Sequence, residues 1–122
     1  MWIGVDLDGT LATHYWPQSG PFVPTRIGQP IVPMVNRIKA WLANGIEVRI
    51  VTARVSQPSH ADHSAVCEAI HDWCKEVFGQ KLPLTAHKDF AMVELWDDRA
   101  VRVMTDTGHQ CCDTPVFSDT LK

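Results

Sequence analysis

The sequence predicts a single three-layer α/β/α domain spanning residues 1–122, with a mainly parallel central sheet of about five strands. Three observations carry this. Short apolar runs alternate with stretches of helical periodicity, the pattern of successive βαβ units with their right-handed crossovers. The first run, Met1 to Val5 (MWIGV), is almost wholly apolar, as a parallel strand buried on both faces must be. A chain of 122 residues is also near the commonest size for one domain, and no repeat, low-complexity tract or linker divides it.

Each element has its own justification. The first strand stops at Asp6, and Gly9 breaks any regular structure beyond it. Residues 14–30 hold four prolines and two glycines without periodicity, which reads as an irregular loop. A helix begins near Pro33, a tolerated first-turn position, and places Met34, Val35, Ile38, Trp41 and Leu42 on one face before Asn44-Gly45 stops it. Ile46 to Val51 (IEVRIV) is the second strand and ends at Thr52. A second helix runs from about Ser59 to Phe78, with Val66, Ile70, Trp73 and Val77 as its apolar stripe and Gly79 as its stop. Leu82 to Ala86, Met92 to Trp96 and Val101 to Thr105 supply the third, fourth and fifth strands, with a short further strand at Val116-Phe117.

Composition narrows the function classes. Apolar residues at 45% and charged residues at 20% exclude a disordered chain. No apolar run approaches the roughly 20 residues that span a bilayer, and no basic segment precedes Asp6, so a cytoplasmic protein without a membrane anchor or secretory signal is expected. Eleven Lys and Arg against fourteen Asp and Glu give a net charge of -3, which removes bulk attraction to nucleic acid and leaves only a local patch to provide it. The four cysteines match no zinc spacing and no disulfide framework, so reduced thiols are expected.

In a parallel sheet of this kind ligands bind beyond the carboxyl ends of the strands. The first strand ends in Asp6-Leu7-Asp8-Gly9-Thr10, the second in Thr52-Ala53-Arg54, the third runs to His87-Lys88, and the fourth ends in Asp97-Asp98-Arg99. Crowded carboxylates repel one another unless a cation neutralises them, and an all-oxygen set suits Mg²⁺. A hydroxyl at Thr52 and an ammonium at Lys88 suit phosphoryl oxygens. An aspartate can attack phosphorus, and a second carboxyl two residues later can exchange protons with the leaving oxygen and the attacking water. The set therefore points to Mg²⁺-assisted transfer of a phosphoryl group to water.

These residues resemble the haloacid-dehalogenase (HAD) superfamily of phosphohydrolases. D-L-D-G-T at residues 6–10 is similar to its motif I, Thr52 to motif II, Lys88 to motif III and Asp97-Asp98 to the acidic motif IV, all in the family's order. The resemblance implies a Rossmann-like domain, with Asp6 as nucleophile, Asp8 as general acid/base, and Thr52 and Lys88 on the phosphoryl group. It implies Mg²⁺ held by Asp6, the backbone carbonyl of Asp8 and Asp98, with Asp97 a second ligand or a partner of the ligands. Having Asp8 favours a phosphatase over a dehalogenase, which needs no proton donor for its leaving group. The short gaps between motifs leave no room for a cap domain. Capless members often act on large phosphorylated substrates or borrow a lid from an oligomeric neighbour, so a macromolecular substrate and a homo-oligomer both stand as expectations. TAR and DDR also resemble, more weakly, the phosphatase half of polynucleotide kinase-phosphatases, so a nucleotide or nucleic-acid 3′-phosphatase is an alternative. A non-catalytic phosphate-binding module is an alternative of another class.

Other residues carry weaker signals. Arg54 and Arg99 read first as ion-pair partners of the carboxylates. Tyr15 and Trp16 either stack on a flat substrate or pin their loop to the domain. His63, Cys67, His71 and Cys74 follow one stripe of the second helix, but a straight helix cannot wrap four ligands around an ion, so half-buried residues flanking the core are expected. Cys111-Cys112 is too strained a pair for a routine disulfide and receives no role.

Overall fold

A computed structural model of the chain describes residues 1–15, 17, 19–112 and 118. Trp16 and the expected Val116-Phe117 strand lie outside the described residues. The elements run β1 (Trp2–Asp6), α1 (Val32–Ala43), β2 (Glu47–Val51), a single 3-10 turn (Ala53–Val55), α2 (His63–Phe78), β3 (Leu84–Thr85) and β4 (Met92–Trp96). All strand pairs are parallel, and the sheet order is β3-β2-β1-β4. The α/β class and the parallel sheet of the sequence reading are therefore present. No helix among the described residues is long and apolar enough to cross a membrane.

The two faces of the sheet are built differently. Side chains alternate along a strand, so Ile3 and Val5 point one way while Trp2 and Gly4 point the other. Ile3, Val5, Val48 and Ile50 join Met34, Val35 and Ile38 of α1 and Val66, Ile70 and Cys74 of α2 in one apolar cluster. Each of these fully buried aliphatic side chains contributes about 1.5–3 kcal/mol through burial. On the opposite face Trp2 is buried under the Arg49 guanidinium, 4.4 Å above its ring. Its indole N–H donates to Asp89 Oδ1 at 2.9 Å, which holds the Asp89 carboxyl below its usual range. Gly4 makes room for this ring: a Cβ there would lie 2.9 Å from Val51 Cγ2 and 3.1 Å from both Met92 Sδ and the Trp2 ring.

Four expectations are corrected. Val101 to Thr105 does not join the sheet; Val103 makes only an isolated antiparallel bridge to Gln110, and Val101, Val103 and Met104 are about half exposed. The run is short and interrupted by Arg102, so it closes locally on the turn beyond it, with the Met104 N–H donating to His109 O and the Cys111 N–H to Arg102 O. The third strand shrinks to Leu84–Thr85, because Pro83 has no N–H for a ladder. The second helix begins at His63 rather than near Ser59, since residues 57–62 are taken up by turns in which the His60 N–H donates to Gln57 O and the Asp62 N–H to His60 Nδ1. Cys74, expected to flank the core half-buried, sits fully inside it beside Ile70, and burial pushes its thiol up to about 11.

Candidate active site

The carboxyl ends of β1 and β4 are adjacent in the sheet, and this adjacency assembles the site. Asp6 is the last residue of β1, and Asp97 and Asp98 come directly after the last residue of β4. Asp6, Asp97 and Asp98 each offer a ligand atom within 4.8 Å of the others, the one group of three or more such side chains among the described residues. The donor set is entirely oxygen, so it fits a hard dication such as Mg²⁺ and would not select a soft metal. Burial is the largest cause raising the Asp6 carboxyl from its ordinary 3.8 to about 7, ahead of the charge of Asp97 and the Asp98 carboxylate beside it. Bringing a divalent charge to this point would relieve that repulsion.

Thr10 ties the two strand ends together. Its hydroxyl donates toward Asp6 Oδ2 at 3.3 Å and Asp98 Oδ1 at 3.2 Å, and its oxygen accepts from the Asp98 N–H at 2.9 Å. Asp98 Oδ2 also lies 3.5 Å from His14 Nε2. Asp97 turns back on its own loop, accepting from the Arg99 N–H at 2.8 Å. Gly9 is required beneath this cluster. Its φ of 90° is unfavourable for other residues, and a Cβ there would collide with the Asp98 carboxylate and with His14 Nε2.

Asp8 occupies a contrasting setting. Its carboxylate accepts two parallel hydrogen bonds from Arg54, from Nε to Oδ2 at 2.9 Å and from Nη2 to Oδ1 at 2.7 Å. The same guanidinium donates through Nη1 to the carbonyls of Pro24 and Arg26, each at 2.8 Å, and lies 4.9 Å from the centre of the Phe22 ring. Thr52 closes β2, is 3% exposed, and accepts the Arg54 N–H on Oγ1 at 3.2 Å. Its hydroxyl is thereby the first group of the turn that carries Arg54 to Asp8.

The expected residues are thus unequally assembled. Asp6, Asp97 and Asp98 come together, and Asp8 and Thr52 meet through Arg54. Lys88 lies in the β3–β4 connection, exposed and without a hydrogen bond or ion pair to any described residue. Sequence reasoning missed Thr10 as the bridge between strand ends, although it is the threonine of D-L-D-G-T. It also missed His14, which nothing short of the turn at Gly9 would have revealed. Tyr15 lies under the Arg26 guanidinium at 4.1 Å and 6.2 Å from Phe22, so it packs within the 14–30 loop. His63 and Cys67 are neighbours on α2, with Sγ 3.8 Å from the imidazole, whereas Cys74 points into the core. Beside the Arg54 turn lies a pocket of about 330 Å³ lined by Pro24, Ala53, Arg54, His60, His63 and Val66, among others.

Compared with protein families, with curated proteins and with solved structures, the chain has no match.

Proposed function

We propose that the chain is a Mg²⁺-dependent phosphomonoester hydrolase that works through an aspartyl-phosphate on Asp6. The single observation that carries this reading is the convergence of Asp6, Asp97 and Asp98 at the carboxyl ends of two neighbouring parallel strands. The resemblance of residues 6–10, 52, 88 and 97–98 to the phosphohydrolase motifs supports it, as does the all-parallel sheet, whose strand ends carry Asp6, Asp97 and Asp98.

Asp6, Asp97 and Asp98, with the backbone carbonyl of Asp8, would hold the ion. When bound, Mg²⁺ supplies positive charge that neutralises the carboxylates and the phosphoryl oxygens. The remaining chemistry belongs to the chain. Asp6 Oδ attacks phosphorus as the bond to the leaving oxygen breaks, and Asp8, once protonated on the oxygen released from one of its two Arg54 hydrogen bonds, gives that leaving oxygen its proton. In the second half Asp8 takes a proton from water as the water oxygen attacks phosphorus, which returns the Asp6 carboxylate and releases inorganic phosphate. Thr52 and Lys88 would bind phosphoryl oxygens; Lys88 has no ion pair among the described residues, and Thr52 would add a contact to the one it makes with the Arg54 N–H. The substrate is a phosphate monoester, and the absence of a cap domain between the motifs suits a large one.

The test is phosphate release from a panel of small phosphomonoesters, nucleotides and DNA 3′-phosphates, with and without Mg²⁺, beside Asp6→Asn. Mg²⁺-dependent release that Asp6→Asn abolishes is expected. Release that persists in Asp6→Asn contradicts the reading. Fastest turnover of a DNA 3′-phosphate, falling steeply with salt, would name the nucleic-acid branch.

A further inference from the structure

We propose that Arg54 is the positioning residue of this site, a buried clamp that binds the Asp8 carboxylate and the 22–26 segment into one unit. The proposal rests on the hydrolase reading for the role of Asp8, but the clamp itself is a matter of geometry. Three stretches far apart in sequence meet on one guanidinium. It takes both oxygens of Asp8 and the carbonyls of Pro24 and Arg26, so four of its five N–H protons are engaged. The Arg54 side chain is 5% exposed and lies against the Phe22 ring, and the Asp8 carboxylate that it holds is 28% exposed. Its own backbone is fixed by Thr52 at the end of β2.

This arrangement is more than a surface ion pair. A lysine could satisfy one of these partners as a point charge, but only a planar fork reaches a carboxylate bidentately while its remaining nitrogen spans two carbonyls. The clamped segment extends outward, where Arg26 lies over Tyr15 and donates to its hydroxyl at 3.3 Å. A substrate that presses on the 22–26 wall therefore presses, through Arg54, on the carboxylate that must exchange protons with it. The rotamer of Asp8 is set by the wall of the crevice.

The test is hydrogen exchange in wild type, Arg54→Ala, Arg54→Lys and Asp8→Asn, beside kcat and KM for the fastest phosphomonoester. The clamp predicts exchange about tenfold faster within residues 22–26 in both Arg54→Ala and Asp8→Asn, with the core helices unchanged. It predicts a fall in kcat of about 10²-fold in Arg54→Ala, larger than the change in KM. Added guanidinium ion restores part of that kcat, and Arg54→Lys retains less of the coupling than wild type. Unchanged exchange at 22–26 in Asp8→Asn overturns the proposal, and so does a rise in exchange spread over the whole chain. If Arg54→Ala does not fold, Asp8→Asn alone decides. If exchange rises only at 22–26 while wild type hydrolyses no phosphomonoester, the clamp stands and the hydrolase reading falls.

Discussion

Asp6 and Asp8 are two residues apart in sequence and occupy opposite electrostatic settings. Asp6 lies in a cluster of carboxylates with no cation among its hydrogen-bond partners within the described residues, and burial and its neighbours push it up to about 7. Asp8 has a guanidinium on both oxygens. The difference arises from local geometry. Asp6 ends β1 and faces β4, its neighbour in the sheet, whereas the turn that begins at Asp8 faces the end of β2, where Arg54 is carried. On one side carboxylates crowd together, and on the other a carboxylate has its own counter-charge. Two carboxylates in one motif can thus hold different roles, attack on one hand and proton exchange on the other.

Either carboxylate setting can be removed by substitution. The largest effect is expected from removing the acidic partners: Asp97→Asn with Asp98→Asn should lower Mg²⁺-dependent turnover by about 10³-fold or more and abolish the Mg²⁺-induced rise in Tm. Thermal unfolding with and without Mg²⁺ checks this; a Tm still raised by Mg²⁺ would remove these residues from the ion's shell. On the other side, Asp8→Asn leaves the buried Arg54 guanidinium without its counter-charge. A loss of about 2–3 kcal/mol in urea unfolding is expected, together with a drop in kcat of about 10²- to 10³-fold.

A smaller effect sharpens the contrast through pH. In metal-free protein the folded Asp6 binds a proton up to about 7, while the unfolded carboxyl releases it near 3.8. Between those values the folded state holds more protons than the unfolded state, so stability falls as pH rises, and the penalty is complete above about 7. Allowing for solvent screening of a half-exposed group, it amounts to about 1–2 kcal/mol. Denaturation in chelator at about pH 4 and about pH 8 should show this slope in wild type and a shallower one in Asp6→Asn. Equal slopes would mean that the carboxylates do not burden one another. The smallest effect belongs to Thr10→Val, which removes the bridge between the strand ends and should cost about 1 kcal/mol and about tenfold in turnover.

Legibility in the sequence depended on local pattern. The apolar run before Asp6, the amphipathic stripe of α1 and the strand ends that carry the carboxylates were all readable because each is a property of a few consecutive residues. The fifth strand was misread because VRVMT has strand composition but pairs with Gln110 rather than with the outer edge of β4; strand propensity does not choose a partner. Cys74 was misread because its place in the stripe beside Ile70 depends on how α2 rolls against the sheet. Arg54 is the most instructive case. Its charge next to Thr52 was visible, but its choice of Asp8 over Asp97 or Asp98 is made by the 3-10 turn after β2, forty-six residues along the chain from its partner.

In the proposed reaction Asp6, alone among these carboxylates, carries the phosphoryl group during turnover. The direct measurement is rapid quenching of Asp8→Asn with a phosphate-labelled aryl monoester, whose leaving group departs without a proton, in Mg²⁺, then mapping of the labelled peptide. Because Asp8 activates water in the second half, this variant should accumulate label on Asp6, removable by hydroxylamine as an acyl phosphate is, with none in a variant that also carries Asp6→Asn. Label on another residue, or steady phosphate release from Asp6→Asn without any labelled protein, would contradict the account.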